Sequence, residues 1–226
     1  MNFTFFGHAC FSVNFGDTTI LFDPFISPNS LAKEVDMAAI KADYIFVSHG
    51  HGDHVADLIA LAKQTQATVV SNFEIIDWVT KQGYEKVHPM NFGTKTFDFG
   101  KVHFVPAAHS SALPDGSYGG NPGGFLIKTR EGSFYYTGDT SLTAEFTMIP
   151  KYGSPDFAIM PIGGNFTMDV DDAVIAAEMI GCKQIVGVHY DTFGYIVINK
   201  DAAQAAFQAS GATLLLPKIG ETITVK

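Results

Sequence analysis

A short stretch of the chain, residues 48–54, has an unusual density of side chains that bind metal ions. It reads Ser-His-Gly-His-Gly-Asp-His and contains His49, His51, Asp53 and His54. Neutral imidazole and carboxylate groups are common ligands of zinc and similar metals. Side chains two positions apart on extended backbone lie on one side, so His49 and His51 can reach the same cation. Asp53 and His54 then reach a second position nearby, and the intervening glycines allow a tight bend.

Three more potential ligands, His109, Asp139 and His189, each follow an apolar run further along the chain. Because each run is typical of a strand, these groups can meet the first cluster along one edge of the fold. A closed structural site is the alternative, but structural zinc prefers cysteine, and Cys10 and Cys182 lie far from the motif. The full set therefore predicts a centre for two cations, bridged by a carboxylate such as Asp139.

The elements that must position these residues occur in the same order in both halves of the chain. Strands in hairpins come first, and strands alternating with helices follow. The apolar runs predict strands over 3–25, 43–48, 67–71, 125–129, 133–137, 157–161 and 184–188, with hairpin-like alternation over 86–105. Apolar residues at 55, 58, 59 and 62 predict a helix from Val55, and capping residues predict helices over 74–81, 170–180 and 200–209. We therefore expect an α/β (α+β) fold in a single domain, residues 1–226: a four-layer αββα sandwich of two packed sheets with helices outside.

Composition narrows the class of protein and of partner. Hydrophobic residues make up 46% of the 226 residues, which excludes global disorder. The formal net charge is -9, so an acidic surface would repel nucleic acid, and we expect none as a partner. No apolar run reaches the roughly 18 residues of a membrane span, and the first residues lack a signal peptide's basic start. Two distant cysteines fit buried, reduced thiols, so a cytoplasmic protein is predicted.

The motif at 48–54, together with His109, Asp139 within 137–140 (Thr-Gly-Asp-Thr) and His189, resembles the metallo-β-lactamase fold superfamily. Gly7-His8-Ala9-Cys10, residues 161–168 and residues 189–193 are similar to a branch of small metal-dependent hydrolases related to ascorbate-6-phosphate lactonase. The resemblance implies one cation on His49, His51 and His109. It implies a second on Asp53, His54 and His189, with Asp139 bridging. His51 also matches the hydrolases and not the flavodiiron oxygen reductases, which have a glutamate there.

A two-cation centre predicts hydrolysis without a protein nucleophile. Water held between two cations is deprotonated near neutral pH, and one cation polarises the bond to be cleaved. Asp53 and Asp139 are thus the catalytic candidates. The expected substrate is a small molecule with an ester, lactone, thioester or phosphodiester bond. Zinc is the default metal, while manganese, iron or nickel also suit these ligands.

Several alternatives remain open at this point. A nuclease or phosphodiesterase acting on nucleic acid, or a non-catalytic metal-binding protein, would carry the same ligands. The apolar residues of 194–198 could belong to the core or to the interface of a homo-oligomer. His8, Asp23 and Asn165 are candidates for supporting a ligand or contacting substrate, although His8 could be an ordinary packed histidine and Asp23 could cap a turn. Residues 110–124 would form a long loop of the kind that is usually functional or mobile, and its glycine-rich part, 119–124, would be a flexible lid or a plain hairpin.

Overall fold

The computed structural model describes all 226 residues, which fall into two compact units. Unit 1 comprises Met1–Gly93, Ser110–Pro122 and Pro217–Val225. Unit 2 comprises Thr94–His109, Gly123–Leu216 and Lys226. Each unit contains a seven-stranded sheet and is assembled from segments that are distant in sequence. Folding as one domain stays a prediction.

The strands, in chain order, are β1 Asn2–Gly7, β2 Cys10–Phe15, β3 Thr18–Phe22, β4 Tyr44–Phe46, β5 Thr68–Asn72, β6 Val87–Met90, β7 Gly93–Phe97, β8 Gly100–Pro106, β9 Gly123–Thr129, β10 Ser133–Tyr136, β11 Phe157–Pro161, β12 Gln184–Val188, β13 Thr213–Leu215 and β14 Thr222–Thr224. The α-helices are α1 Gly52–Val55, α2 Leu58–Thr65, α3 Phe73–Lys81, α4 Ile149–Tyr152, α5 Val170–Ile180 and α6 Lys200–Ala209. Short 3-10 turns occupy Met37–Ala39, Ala144–Met148 and Gly194–Ile196.

In unit 1 the strand order is β14-β1-β2-β3-β4-β5-β6. Strands β1, β2 and β3 form an antiparallel meander, and stacked phenylalanines bind it together: Phe11 lies 5.0 Å from Phe3 and 4.7 Å from Phe22, measured between ring centroids. From β3 to β6 the pairing is parallel. Because parallel strands end at the same edge, the residues after β3 and those after β4 are neighbours there.

In unit 2 the strand order is β13-β12-β11-β10-β9-β8-β7. Strands β10 to β13 are parallel, so the chain segments that follow β10, β11 and β12 share one edge. The bounds of α5 and α6 agree with the sequence prediction. Asp169 caps α5 by accepting from the amide of Asp172, and Asn199 caps α6 by accepting from that of Ala202.

The expected hairpin pattern over residues 86–105 is only partly correct. Strands β7 and β8 are neighbours in the unit 2 sheet, as a hairpin requires. Strand β6 instead pairs parallel with β5 in unit 1, because α3 returns the chain to that sheet. The alternation of side chains shows that strands are present, but it does not show which strand each one joins.

Both cysteines are free and buried, as predicted. Burial raises the pKa of the Cys10 thiol far above its ordinary value, and burial also raises that of Cys182. Neither thiol therefore forms the reactive thiolate at neutral pH. No helix in the structure combines the length and the apolar composition that crossing a bilayer requires.

Candidate metal centre

The predicted ligands of unit 1 converge in the segment that follows β4. His49 and His54 are fully buried, whereas His51 and Asp53 are partly exposed. Nε2 of His49 lies 2.9 Å from Nδ1 of His51. His8, Asp53 and His54 each have one potential ligand atom, and these three atoms lie within 4.8 Å of one another. Unit 1 thus presents two adjacent groups of donors, which we call the unit 1 cluster.

A buried carboxylate behind this cluster fixes which imidazole nitrogens carry protons. Oδ2 of Asp23 lies 2.6 Å from Oγ of Ser48 and 2.9 Å from Nδ1 of His54. Because a carboxylate only accepts, the Ser48 hydroxyl and His54 Nδ1 both donate to it. The Ser48 oxygen must then accept from His49 Nδ1, which lies 3.0 Å away. Both histidines therefore present an unprotonated Nε2, the form that binds a cation.

Asp23 reaches this position because of the strand order. It follows β3, and its backbone amide donates to Phe46, the last residue of β4, at 3.0 Å. Its φ of +42° is in the left-handed region, which turns the carboxylate back under the motif. Ligand atoms of Asp23, His49 and His54 also lie within 4.8 Å of one another. The hydrogen bonds from Ser48 and His54 explain that proximity, so Asp23 supports these candidate ligands and adds no further candidate site.

The predicted ligands of unit 2 converge on one carboxylate oxygen. Oδ2 of Asp139 lies 3.0 Å from Nε2 of His189 and 3.8 Å from Nε2 of His109. Asp139 and His189 are buried. Next to Asp139, the Thr140 hydroxyl accepts from the amide of Ala108 at 3.0 Å, which ties the His109 segment to the end of β10. These three residues form the unit 2 cluster.

The donors in both clusters fit a borderline divalent cation. Two nitrogens bound to one tetrahedral zinc ion at the usual bond lengths lie roughly 3.3 Å apart. The 2.9 Å between His49 Nε2 and His51 Nδ1 needs only a small adjustment to accept an ion. A carboxylate oxygen in reach of two imidazoles, as at Asp139, suits a bridging ligand. The chemistry of the clusters therefore agrees with the expected metals.

The supporting candidates have different surroundings. Asp23 contacts Ser48 and His54, as described, and His8 contacts Asp53 with 3.0 Å between Nε2 and Oδ2. Asn165 is exposed in a left-handed turn with φ +57°, a conformation that asparagine tolerates well. Its contact with substrate stays a prediction.

The glycine-rich stretch after His109 is a hairpin that braces the motif in unit 1. Ala112 and Tyr118 pair as an antiparallel bridge. The hydroxyl of Ser111 accepts from the amide of Gly50 at 3.0 Å and donates to the carbonyl of Gly119 at 2.9 Å. The Asn72 amide group donates to the carbonyl of Gly119 at 2.7 Å. Residues 119–124, expected to form a flexible lid or a plain hairpin, lead from this bridge into β9, which begins at Gly123.

The contact between this hairpin and the motif also explains why residue 50 of the motif is a glycine. A Cβ at residue 50 would lie 3.1 Å from Leu113 and 3.3 Å from the Ser111 oxygen, so the hairpin covers the motif at this point. A Cβ at residue 52 would meet nothing within 4 Å. Sequence reasoning did not find Ser111, because a serine 61 residues from Gly50 gives no signal of its own.

Removing the Ser111 hydroxyl, which connects the hairpin to the motif, is expected to destabilise unit 1. Ser111→Ala leaves the buried amide of Gly50 without its partner, at about 1–3 kcal/mol, whereas the carbonyl of Gly119 still accepts from Asn72. We expect the free energy of unfolding, measured by urea denaturation, to fall by roughly 1–3 kcal/mol. Ser117→Ala in the same hairpin removes an exposed hydroxyl and should change it by less than about 0.5 kcal/mol. Equal effects of the two substitutions would show that Ser111 does not brace the motif.

The two clusters and the topology of the sheets define a protein of the metallo-β-lactamase fold. A family model described as "Beta-lactamase superfamily domain" matches residues 18–190. A solved metallo hydrolase from the archaeon Ignicoccus hospitalis superposes with a TM-score of 0.90 at 30% identity, covering 100% of this chain and 98% of its own. The predicted fold class is therefore confirmed.

Curated relatives narrow the assignment further. A protein of Flavobacterium johnsoniae is 50% identical and one of Methylacidiphilum infernorum is 47% identical, each over 99% of both chains. Both are named UPF0173 metal-dependent hydrolase. The chain belongs to the UPF0173 metal-dependent hydrolases, a family of metal-dependent enzymes. The predicted superfamily and the predicted hydrolase class are both confirmed.

Proposed function

We propose that this enzyme uses a two-cation centre to hydrolyse a small molecule. The bond cleaved is an ester, lactone, thioester or phosphodiester. The observation that carries the proposal is the position of Asp139, whose Oδ2 is within 3.0 Å of His189 Nε2 and 3.8 Å of His109 Nε2. A ligand of each proposed cation thus lies beside the proposed bridge.

The proposed ligands divide between the two cations as the family resemblance implies. His49, His51 and His109 hold the first, and Asp53, His54 and His189 hold the second, while Asp139 binds both. The pairing of His49 with His51 and of Asp53 with His54 in the unit 1 cluster supports this division. Zinc is the proposed metal, and manganese, iron and nickel suit the same nitrogen and oxygen donors.

When bound, two cations would lower the pKa of a water between them and polarise the scissile bond. The chain's own residues prepare the centre. Asp23 and Ser48 keep the Nε2 atoms of His49 and His54 unprotonated. The Asp53 side chain, 28% exposed, is the more open of the two carboxylates, since that of Asp139 is 3% exposed. Asp53 is therefore placed to orient water and to accept its proton.

The proposed substrate is a small molecule because the charge of the chain opposes a polyanion. With 14 basic and 23 acidic residues, the surface repels phosphate backbones. A small ester or lactone does not depend on a basic surface. A cytoplasmic location is proposed because both cysteines are free and buried, and no nucleic-acid partner is proposed because the net charge is -9.

A substrate panel tests the proposal. The zinc-loaded enzyme is assayed on lactones, thioesters, carboxylic esters and phosphodiesters, and on single-stranded RNA at low salt by filter binding. We expect turnover of at least one small-molecule class and no tight RNA binding. Tight binding and cleavage of RNA would favour a nuclease instead. Bound metal with no turnover of any class would favour a non-catalytic metal-binding protein.

A further inference from the structure

A buried histidine occupies the turn between β1 and β2, where the backbone favours glycine. His8 has φ +55° and follows Gly7, which has φ +103°. A Cβ at residue 7 would lie 2.7 Å from Asn29 Nδ2 and 3.0 Å from Ile219 Cδ1, so neighbouring side chains hold the turn in place. Left-handed backbone costs free energy for any residue with a Cβ, and residues that keep it cluster at functional sites.

Packing alone does not account for an imidazole at this position. The His8 side chain is 0% exposed. Its ring centroid lies 5.5 Å from that of Phe25 and 5.6 Å from that of His54, both edge-on. An apolar ring would fill the same space without burying polar nitrogens that need partners. The ring nitrogens of His8 must therefore have a role other than packing in the hydrophobic core.

The explanation is the contact with Asp53. Nε2 of His8 lies 3.0 Å from Oδ2 of Asp53, and since a carboxylate only accepts, His8 is the donor. The donor is buried and held by its neighbours, whereas the acceptor lies at the edge of solvent, with its side chain 28% exposed. A fixed donor restricts a carboxylate that would otherwise sample several rotamers. Partners of this kind orient metal ligands in many proteins.

We propose that His8 is a positioning residue that holds the Asp53 carboxylate in the orientation that binds the second cation. The inference rests on the proposed function, because Asp53 has this task only in a two-cation centre. His8 acts through Asp53 and is not itself a ligand. The proton that the hydrogen bond requires occupies Nε2, the nitrogen nearest to the carboxylate.

The test measures zinc affinity by chelator competition, together with thermal unfolding of the metal-free proteins. His8→Gly removes the imidazole and suits the left-handed backbone, so the fold should be retained. We expect the second zinc equivalent to bind roughly 10–100-fold more weakly, with the first unchanged. His8→Gln keeps an N–H donor at a similar reach and should recover most of the affinity. His103→Gln is the matched control, since His103 is buried and bonded to Thr94 in unit 2.

The outcomes separate this inference from the proposed function. If the wild-type protein binds fewer than two zinc ions, the two-cation proposal fails and the inference fails with it. If the wild-type protein binds two and His8→Gly binds both as tightly, only the inference fails. If His8→Gln binds as weakly as His8→Gly, His8 is a direct ligand and the positioning role is wrong.

Discussion

Asp139→Asn is expected to abolish turnover while leaving the fold intact. The amide has the volume of the carboxylate but lacks the charge that a bridge between two cations needs. Losing several kcal/mol of transition-state stabilisation, at about 1.4 kcal/mol per factor of ten, predicts a loss of kcat of at least roughly a thousandfold. The measurement is kcat on the best substrate of the panel, with zinc content and thermal unfolding recorded on the same preparation.

A matched substitution in unit 2 controls for the exchange of acid for amide. Asp156 is exposed and accepts from the amide of Ser133 at 2.7 Å, a bond that asparagine can still make. Asp156→Asn should therefore keep wild-type turnover. Wild-type kcat in Asp139→Asn, with two ions still bound, would show that Asp139 is not the bridge.

Asp23→Asn is expected to weaken zinc binding strongly, because it moves the proton of the His54 imidazole from Nδ1 to Nε2. Asparagine can still accept from the amide of Ser48, but its NH₂ group would face Nδ1 of His54. His54 must then accept at Nδ1, and its proton moves to Nε2, which can no longer bind a cation. We expect roughly 10–100-fold weaker zinc binding. Nitrogen chemical shifts of the labelled metal-free protein report the tautomer directly.

The chain offers a control for this experiment as well. Asp57 is a buried carboxylate in unit 1 that accepts from the amides of Ile26 and Ser27 and has no histidine partner among its hydrogen bonds. Asp57→Asn should lower stability but leave the tautomer of His54 and the zinc affinity unchanged. An unchanged tautomer in Asp23→Asn would refute the role assigned to Asp23.

The elements that the sequence predicts best are those whose ends are set by nearby residues. The bounds of α5 and α6 follow from Asp169 and Asn199, whose side chains bond amides three residues ahead. Gly181 ends α5 in a left-handed conformation that glycine adopts without strain. The candidate metal ligands were recognisable for a similar reason, because they follow apolar strands closely. Local signals of this kind do not depend on the rest of the chain.

The features that the sequence did not predict depend on contacts between distant residues. Strand β14 joins β1, with Ile223 opposite Phe3, and no local pattern specifies that pairing. The brace from Ser111 to Gly50 depends on how the hairpin folds back over the motif. The roles of Asp23 and His8 could be suggested from their positions beside strand ends. The residues that they contact, and which atom donates in each hydrogen bond, follow only from the atomic positions in the structure.

The most direct test of the central claim is the number of zinc ions that restore activity. Enzyme stripped with a chelator is titrated with zinc, and bound metal and turnover are measured at each step. The proposed two-cation centre predicts two bound ions per chain and full turnover only at the second equivalent. Full turnover of the stripped enzyme, or at one ion per chain, would contradict the two-cation centre.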